Sequence, residues 1–323
     1  MFKSIALLSG GLDSMLAAKL VSNLGIDVIC LAFTTPFFDS GKAKMGAKQI
    51  NLPLLIEDIT QEHLQMLKAP RYGYGKYMNP CIDCHTLMLK NAGKKMEALG
   101  ADFIITGEVL GQRPMSQTKQ SLHIVAKNSG YAEYILRPLS AKLLNPIKAE
   151  SEGIIDRSKL LGISGRRRKD QMLLAEELGI VKYPPPAGGC LLTDPMFSRR
   201  LRDLFAHNED RQIRDFELLK YGRHFRLEDN TKIIVGRNVK DNMKLHNLTC
   251  DDDMTLTMSE FPGPYVIIPY GKEEATRRAA ALCVRYSDAP PDTECIVICR
   301  RGQMSFTITA KAASREDFEL FLI

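Results

Sequence analysis

The stretch Ser4-Ile5-Ala6-Leu7-Leu8-Ser9-Gly10-Gly11-Leu12-Asp13-Ser14 decides the reading of the fold. Residues 4–8 are a short apolar run ending in Ser-Gly-Gly, the pattern of a buried strand that enters a tight turn. Past Ser14 the apolar residues Met15, Leu16, Leu20, Val21 and Leu24 recur at helical spacing, and Gly25 closes the helix. The unit is therefore strand, glycine turn, helix.

The same alternation continues outward. Residues 27–33 predict a second strand, 39–50 a helix, 53–56 a third strand, 84–99 a helix and 102–106 a fourth strand. Strands and helices alternating at this pace predict an α/β fold, a parallel sheet covered on both faces with ligands at the carboxyl ends of its strands. Tyr183-Pro184-Pro185-Pro186-Ala187-Gly188-Gly189-Cys190 cannot continue a helix and predicts a loop. The pattern then changes to helices at 197–205 and 213–220 and strands at 232–235, 255–258 and 265–269. A helix at 272–286, strands at 295–299 and 305–309 and a last helix complete it. Two domains are expected, residues 1–197 and a smaller α+β module at 198–323.

Composition narrows the function classes. Of 323 residues, 45% are apolar and 25% charged, and no run approaches the ~18 apolar residues of a membrane helix. The apolar stretch after Met1 is too short for a signal-peptide core, so the chain is expected in the cytoplasm. Its cysteines (30, 81, 84, 190, 250, 283, 295 and 299) are then expected to be reduced, and a cluster of them reads as metal-binding or catalytic. The net charge of +6 lies wholly between Lys142 and Lys240, where 20 basic residues face 14 acidic ones. Arg166-Arg167-Arg168-Lys169 and Arg199-Arg200-Leu201-Arg202 belong to that excess. They read either as a footprint for a polyanion or as a solvated helix face.

Ser9-Gly10-Gly11-Leu12-Asp13-Ser14 has the chemistry of a phosphate cradle. Its two glycines let the backbone approach a phosphate, the helix start offers free N–H groups, and Ser9 and Ser14 add hydroxyl donors. Asp13 would repel bare phosphate and so points to an Mg2+ bridge. The chain lacks a Walker-type Gly-Lys-Ser/Thr, which argues against γ-phosphate transfer. The hexapeptide resembles the PP-loop of ATP pyrophosphatases, which cleave ATP between the α and β phosphates. A second patch, residues 105–118 (ITGEVLGQRPMSQT), together with Leu136-Arg137-Pro138-Leu139, resembles the catalytic domain of tRNA 4-thiouridine synthetases, a family also active in thiamine biosynthesis. The resemblance covers roughly residues 4–195. It implies a Rossmann-like doubly wound sheet, with ATP bound by Ser9, Gly10, Gly11, Asp13 and Ser14 and the pocket completed by Gly107–Gln112, notably Gly107 and Gln112 themselves. It also implies that ATP adenylates a uridine carbonyl oxygen and that sulfur then displaces AMP.

Asn79-Pro80-Cys81-Ile82-Asp83-Cys84-His85 predicts a helix start, with Asn79 as cap and Pro80 in the first turn. Cys81 and Cys84 then share a face near the positive end of the helix dipole, which favours thiolates. Cys190, in the Gly-Gly-Cys loop, is the third candidate. Three thiolates suit a 4Fe–4S cluster with one open iron, and some tRNA thiolases resemble this arrangement. A metal-free persulfide relay through Cys190, zinc held by the three thiols and His85, and covalent haem on Cys-x-x-Cys-His rank below it. Cys30, Cys283, Cys295 and Cys299 lie in apolar runs and read as inert core residues. Compared with the synthetases, the N-terminal RNA-binding modules and a rhodanese-like domain are not evident, so a sulfide or persulfide donor is expected from outside.

Residues 233–238 (IIVGRN) and 260–268 (EFPGPYVII) resemble the NFACT-R RNA-binding domain of ribosome quality-control proteins, over roughly residues 230–310. Tyr265 stands where that family commonly has histidine, and the chain has no tryptophan. The combined expectation is an ATP-dependent tRNA sulfurtransferase that needs ATP, Mg2+ and the cluster and does not involve a membrane. A PP-loop enzyme on a small molecule, such as a deazaguanine nitrile synthase or an amide-forming ligase, is the alternative. A non-catalytic RNA- or ribosome-binding protein with a vestigial ATP site is the other.

Overall fold

The computed structural model describes residues 2–185, 190–207, 212–228 and 230–323. The chain divides into two units, Met1–Thr193 and Asp194–Ile323. Residues 186–189 of the proline–glycine loop lie outside the described residues.

The first unit runs β1 (Lys3–Leu7), α1 (Leu12–Ser22), β2 (Asp27–Thr34), α2 (Gly41–Ile50), β3 (Leu54–Asp58), α3 (Thr60–Lys68) and α4 (Cys81–Ala98). It continues with β4 (Phe103–Ile105), α5 (Lys119–Ser129), β5 (Ile135–Leu136), α6 (Lys148–Ser151) and α7 (Lys169–Glu177). The five strands form one sheet in the order β3-β2-β1-β4-β5, and every pair is parallel. Successive strand residues point to opposite faces, so a continuous apolar run serves two cores at once. Ala6, Val28, Cys30 and Ile105 pack with Met15, Leu16 and Val21 of α1, while Ile5, Leu31 and Ile104 pack with Leu89 and Met96 of α4 and Val125 of α5.

The expected α/β sheet is present, and its order fixes where a ligand can bind. From β1 the chain builds outward to β2 and β3, then returns to place β4 on the other side of β1. The reversal leaves a crevice beyond the carboxyl ends of β1 and β4. Residues 9–14 follow β1, and residues 106–112 follow β4.

The second unit runs α8 (Pro195–His207), α9 (Ile213–Leu218), β6 (Arg223–Arg226), β7 (Lys232–Val235), α10 (Val239–Asn247), β8 (Met254–Met258) and β9 (Val266–Ile268). It closes with α11 (Thr276–Arg285), β10 (Cys295–Arg301), β11 (Met304–Ala310) and α12 (Arg315–Glu319). Its strands pair antiparallel in the order β11-β10-β8-β9-β7-β6. Ala279, Ala280 and Cys283 of α11 pack on one face with Val235, Leu256 and Val297. Leu245 of α10 and Leu218 of α9 pack with Ile234 and Ile267. Cys30, Cys283, Cys295 and Cys299 are buried as expected of core thiols. Among the described residues no helix is long and apolar enough to cross a membrane.

The basic stripe is only partly a surface. Arg200 is buried, and its guanidinium donates to the carbonyls of Leu219 (2.9 Å) and Gly222 (3.0 Å). Arg226 and Lys232 both pair with Asp203, at 2.7 and 2.9 Å. The expectation of a polyanion footprint at residues 199–202 is corrected to this extent: the unpaired carbonyls of a helix end and a turn consume the Arg200 charge-bearing donors.

Candidate active site

The glycine loop is shaped for a close ligand. Gly10 has φ +75°, and a Cβ there would strike the Lys42 carbonyl at the start of α2. Gly11 is the N-cap of α1 and no side chain caps the helix, which leaves the first-turn N–H groups available. Ser14 Oγ donates to Gly11 O at 2.8 Å and lies 3.3 Å from Ser9 Oγ, so both hydroxyls border the turn. Gly107 faces the same helix start, where an added Cβ would sit 2.5 Å from Ser14 N and Cα. Gln112 Nε2 donates to Asp13 Oδ2 at 3.0 Å. The residues after β4 thus close on the loop after β1.

Asp13 is the charged centre of this cradle. Burial raises its pKa, and the Gln112 hydrogen bond, Arg168 and Arg113 oppose that rise. Its Oδ1 is buried without a hydrogen-bond partner. An oxygen in that condition fits a hard cation such as Mg2+, which would repay its lost hydration. Arg168 reaches this place through Gly165 N, which donates to Leu110 O at 2.7 Å, and through the Leu110–Ser164 bridge. From the sequence the 166–169 run reads as a polyanion footprint or a solvated helix face; only tertiary pairing brings Arg168 to the nucleotide loop.

Glu108 links this cradle to α4. It is 6% exposed, pairs with Arg137 Nε at 2.9 Å, accepts from Thr106 Oγ1 at 3.2 Å and meets His85 Nδ1 at 3.0 Å. Burial alone would raise its pKa; Arg137 and His85 overcome that and hold it down at about 2. His85 thus spends Nδ1 on Glu108, and in the zinc set considered from the sequence it would have to bind through Nε2. Glu108 and Arg137 stood inside quoted motifs, yet their pairing was invisible there.

The three candidate thiols do gather. Cys84 lies within electrostatic reach of both Cys190 and Cys81, and Cys190 within reach of Cys81. Leu191 N donates to Phe37 O at 3.1 Å, which anchors the Cys190 segment beside the end of β2. Among the described residues no three His, Cys, Asp or Glu side chains stand arranged as a metal-ligand group. Two expectations are corrected. Asn79 does not cap α4; its Nδ2 donates to Cys81 Sγ at 3.2 Å, and Pro80 occupies the N-cap without a side-chain bond. The helix dipole does not yield an acidic thiol at Cys84, because burial pushes that thiol well up and the other thiols add to the effect. Burial likewise pushes Cys190 up to about 11. Desolvation of a buried anion exceeds the few tenths to one kcal/mol that a helix end returns.

Comparison with known proteins gives matches for both parts of the chain. The family model described as "Thiamine biosynthesis protein (ThiI)" matches residues 2–162, and "NFACT protein RNA binding domain" matches residues 222–322. The resemblances read from the sequence therefore hold for both. A "Probable tRNA sulfurtransferase" of Thermococcus kodakarensis is 30% identical over 50% of this chain and 41% of its own length. One from Staphylococcus epidermidis is 30% identical over 50% of this chain and 38% of its own. The chain thus spans about two fifths of the curated relatives it matches. Among solved structures, "Crystal structure of a 4-thiouridine synthetase - RNA complex with bound ATP" is similar at 20% identity, covering 55% of this chain and 52% of that one with a TM-score of 0.34.

Proposed function

We propose that this chain is an ATP-dependent tRNA sulfurtransferase. The observation that carries the reading is the His85–Glu108 contact of 3.0 Å. It joins the first turns of α4, which bear Cys81 and Cys84, to the segment packed on the glycine loop, so thiols and phosphate cradle share one rim of the sheet. The ThiI and NFACT-R matches support an RNA substrate.

The glycine turn and the open N–H groups of α1 receive the phosphates of ATP. Asp13, with Gln112 on one oxygen, would hold Mg2+ with its free oxygen, and Arg168 and Arg113 balance negative charge at the leaving pyrophosphate. The uridine carbonyl oxygen bonds to the α-phosphorus as the bond to pyrophosphate breaks. Sulfide then bonds to the activated carbon, and AMP leaves with the oxygen. From a persulfide donor the outer sulfur makes that bond, and a second cysteine thiol bonds to the donor's inner sulfur, so that the S–S bond breaks, a disulfide forms and the thiocarbonyl is released. A carbonyl oxygen is a poor leaving group until it is a phosphate ester, which is why ATP is required.

Cys81, Cys84 and Cys190 form the sulfur-bearing centre. Their donor chemistry suits a 4Fe–4S cluster: three thiols from two segments that feel one another's charge, each of which would give up its proton on binding iron. When bound, such a cluster supplies an open iron for sulfide. A persulfide relay would use the same thiols. The exposed Arg166 and Arg167 and the second unit contact tRNA.

Mass spectrometry of tRNA nucleosides from cells lacking the gene tests the reading. Loss of one thiolated nucleoside, restored by the intact gene and not by Cys84→Ala, is the expected result. ATP–pyrophosphate exchange indifferent to added tRNA would favour a small-molecule substrate instead.

A further inference from the structure

His63 of α3 was singled out by no motif, yet it stands against the thiol centre. It is 0% exposed, its ring lies 5.4 Å from that of Phe37 and 5.6 Å from that of Phe38, and its Nε2 is 3.6 Å from Cys84 Sγ. Phe37 is the residue whose carbonyl anchors Leu191, next to Cys190. One aromatic box thus touches both arms of the thiol set.

The other ring nitrogen fixes the direction of the hydrogen bond. Nδ1 is buried and has no hydrogen-bond partner. A neutral imidazole carries one proton, and an orphaned buried N–H is costlier and rarer than an unused lone pair. The proton therefore sits on Nε2, which faces the sulfur.

We propose that His63 is a positioning residue of the sulfur-bearing centre, whose Nε2–H donates to the Cys84 sulfur and fixes that atom where the three thiols converge. The inference rests on the proposed role of the thiols and adds a residue that no motif supplied. An N–H aimed at the sulfur stabilises negative charge on it, whether as thiolate, persulfide or metal ligand.

The test uses the full chain, reduced and freed of iron with a chelator. Long-range nitrogen–proton NMR, with the His63 signals assigned by their loss in His63→Gln, should show the proton on Nε2. The Nε2 resonance should shift in Cys84→Ala. A proton on Nδ1, or no shift in that variant, overturns the proposal. Thiolation assays on the iron-loaded chain give the second readout. Glutamine keeps a donor near the Nε2 position, whereas phenylalanine keeps the aromatic packing alone. His63→Gln should retain most of the thiolation kcat, and His63→Phe should lose at least tenfold with KM for ATP within twofold. Equal rates in the two variants, or a better rate in His63→Phe, mean a packing role and refute the idea. The NMR arm needs neither ATP nor tRNA, so it can fail while thiolation stands. Conversely, full thiolation by Cys84→Ala would remove the functional reading and leave the tautomer result intact.

Discussion

Replacing Glu108 by Gln removes the charge that joins Arg137 to His85 while keeping the side chain's shape. Its folded pKa of about 2 against an ordinary 4.5 corresponds to about 3 kcal/mol of stability at pH 7. Because the folded value is depressed, this contribution is complete above about pH 5 and falls as pH drops toward 2. Removing one partner of a buried pair costs about 3–5 kcal/mol, since the 8%-exposed Arg137 would be left uncompensated. The two routes agree, so Glu108→Gln should destabilise the first unit by about 3 kcal/mol at pH 7. Urea unfolding of the wild type and the variant, followed by far-ultraviolet circular dichroism at pH 7 and pH 3, measures the difference. More than half of the gap should close by pH 3, where the unfolded-state carboxyl is already protonated and the folded one, with a pKa of about 2, is still largely ionised. An unchanged stability at pH 7, or a gap as wide at pH 3 as at pH 7, would refute the account of this network.

Other expectations concern the cradle and the thiols. Gly107→Ala places a methyl group against the backbone of Ser14, and equilibrium dialysis should show ATP affinity reduced at least tenfold while the far-ultraviolet spectrum is kept. Asp13→Asn should abolish Mg2+-dependent ATP–pyrophosphate exchange; wild-type rates would exclude a metal role for its free oxygen. Arg168→Ala should raise KM for ATP several-fold, whereas Arg166→Glu should weaken tRNA binding in a salt-dependent way and leave ATP binding alone. In metal-free protein at pH 7, iodoacetamide should label exposed Cys250 well before Cys84 and Cys190, whose thiols burial holds in the protonated form. Peptide mass spectrometry reads that order.

Local pattern alone determined the elements nearest the site. The apolar run into Gly10-Gly11, the helical period after Ser14 and the helix that follows Cys81 are nearest-neighbour properties of backbone and side chain. Strands at 232–235 and 295–299 were legible for the same reason. Helix α3 was not: TQEHLQMLK buries only Thr60, His63 and Leu67, too few apolar positions to announce a face. The two-residue β5 is likewise too short to show a period.

What tertiary structure decided is which distant groups meet. His63 and Cys84 are 21 residues apart, Glu108 and Arg137 29, and Asp13 and Gln112 99. Asp13 meets Gln112 because the chain returns across β1 to form β4, and Glu108 meets Arg137 because β5 pairs with β4, choices of strand order that no local spacing records. The same packing withdraws water from Cys84, and desolvation reverses the acidity that a helix start by itself would give it. Residue types and spacing set the chemistry on offer; burial and strand order set which of it is expressed.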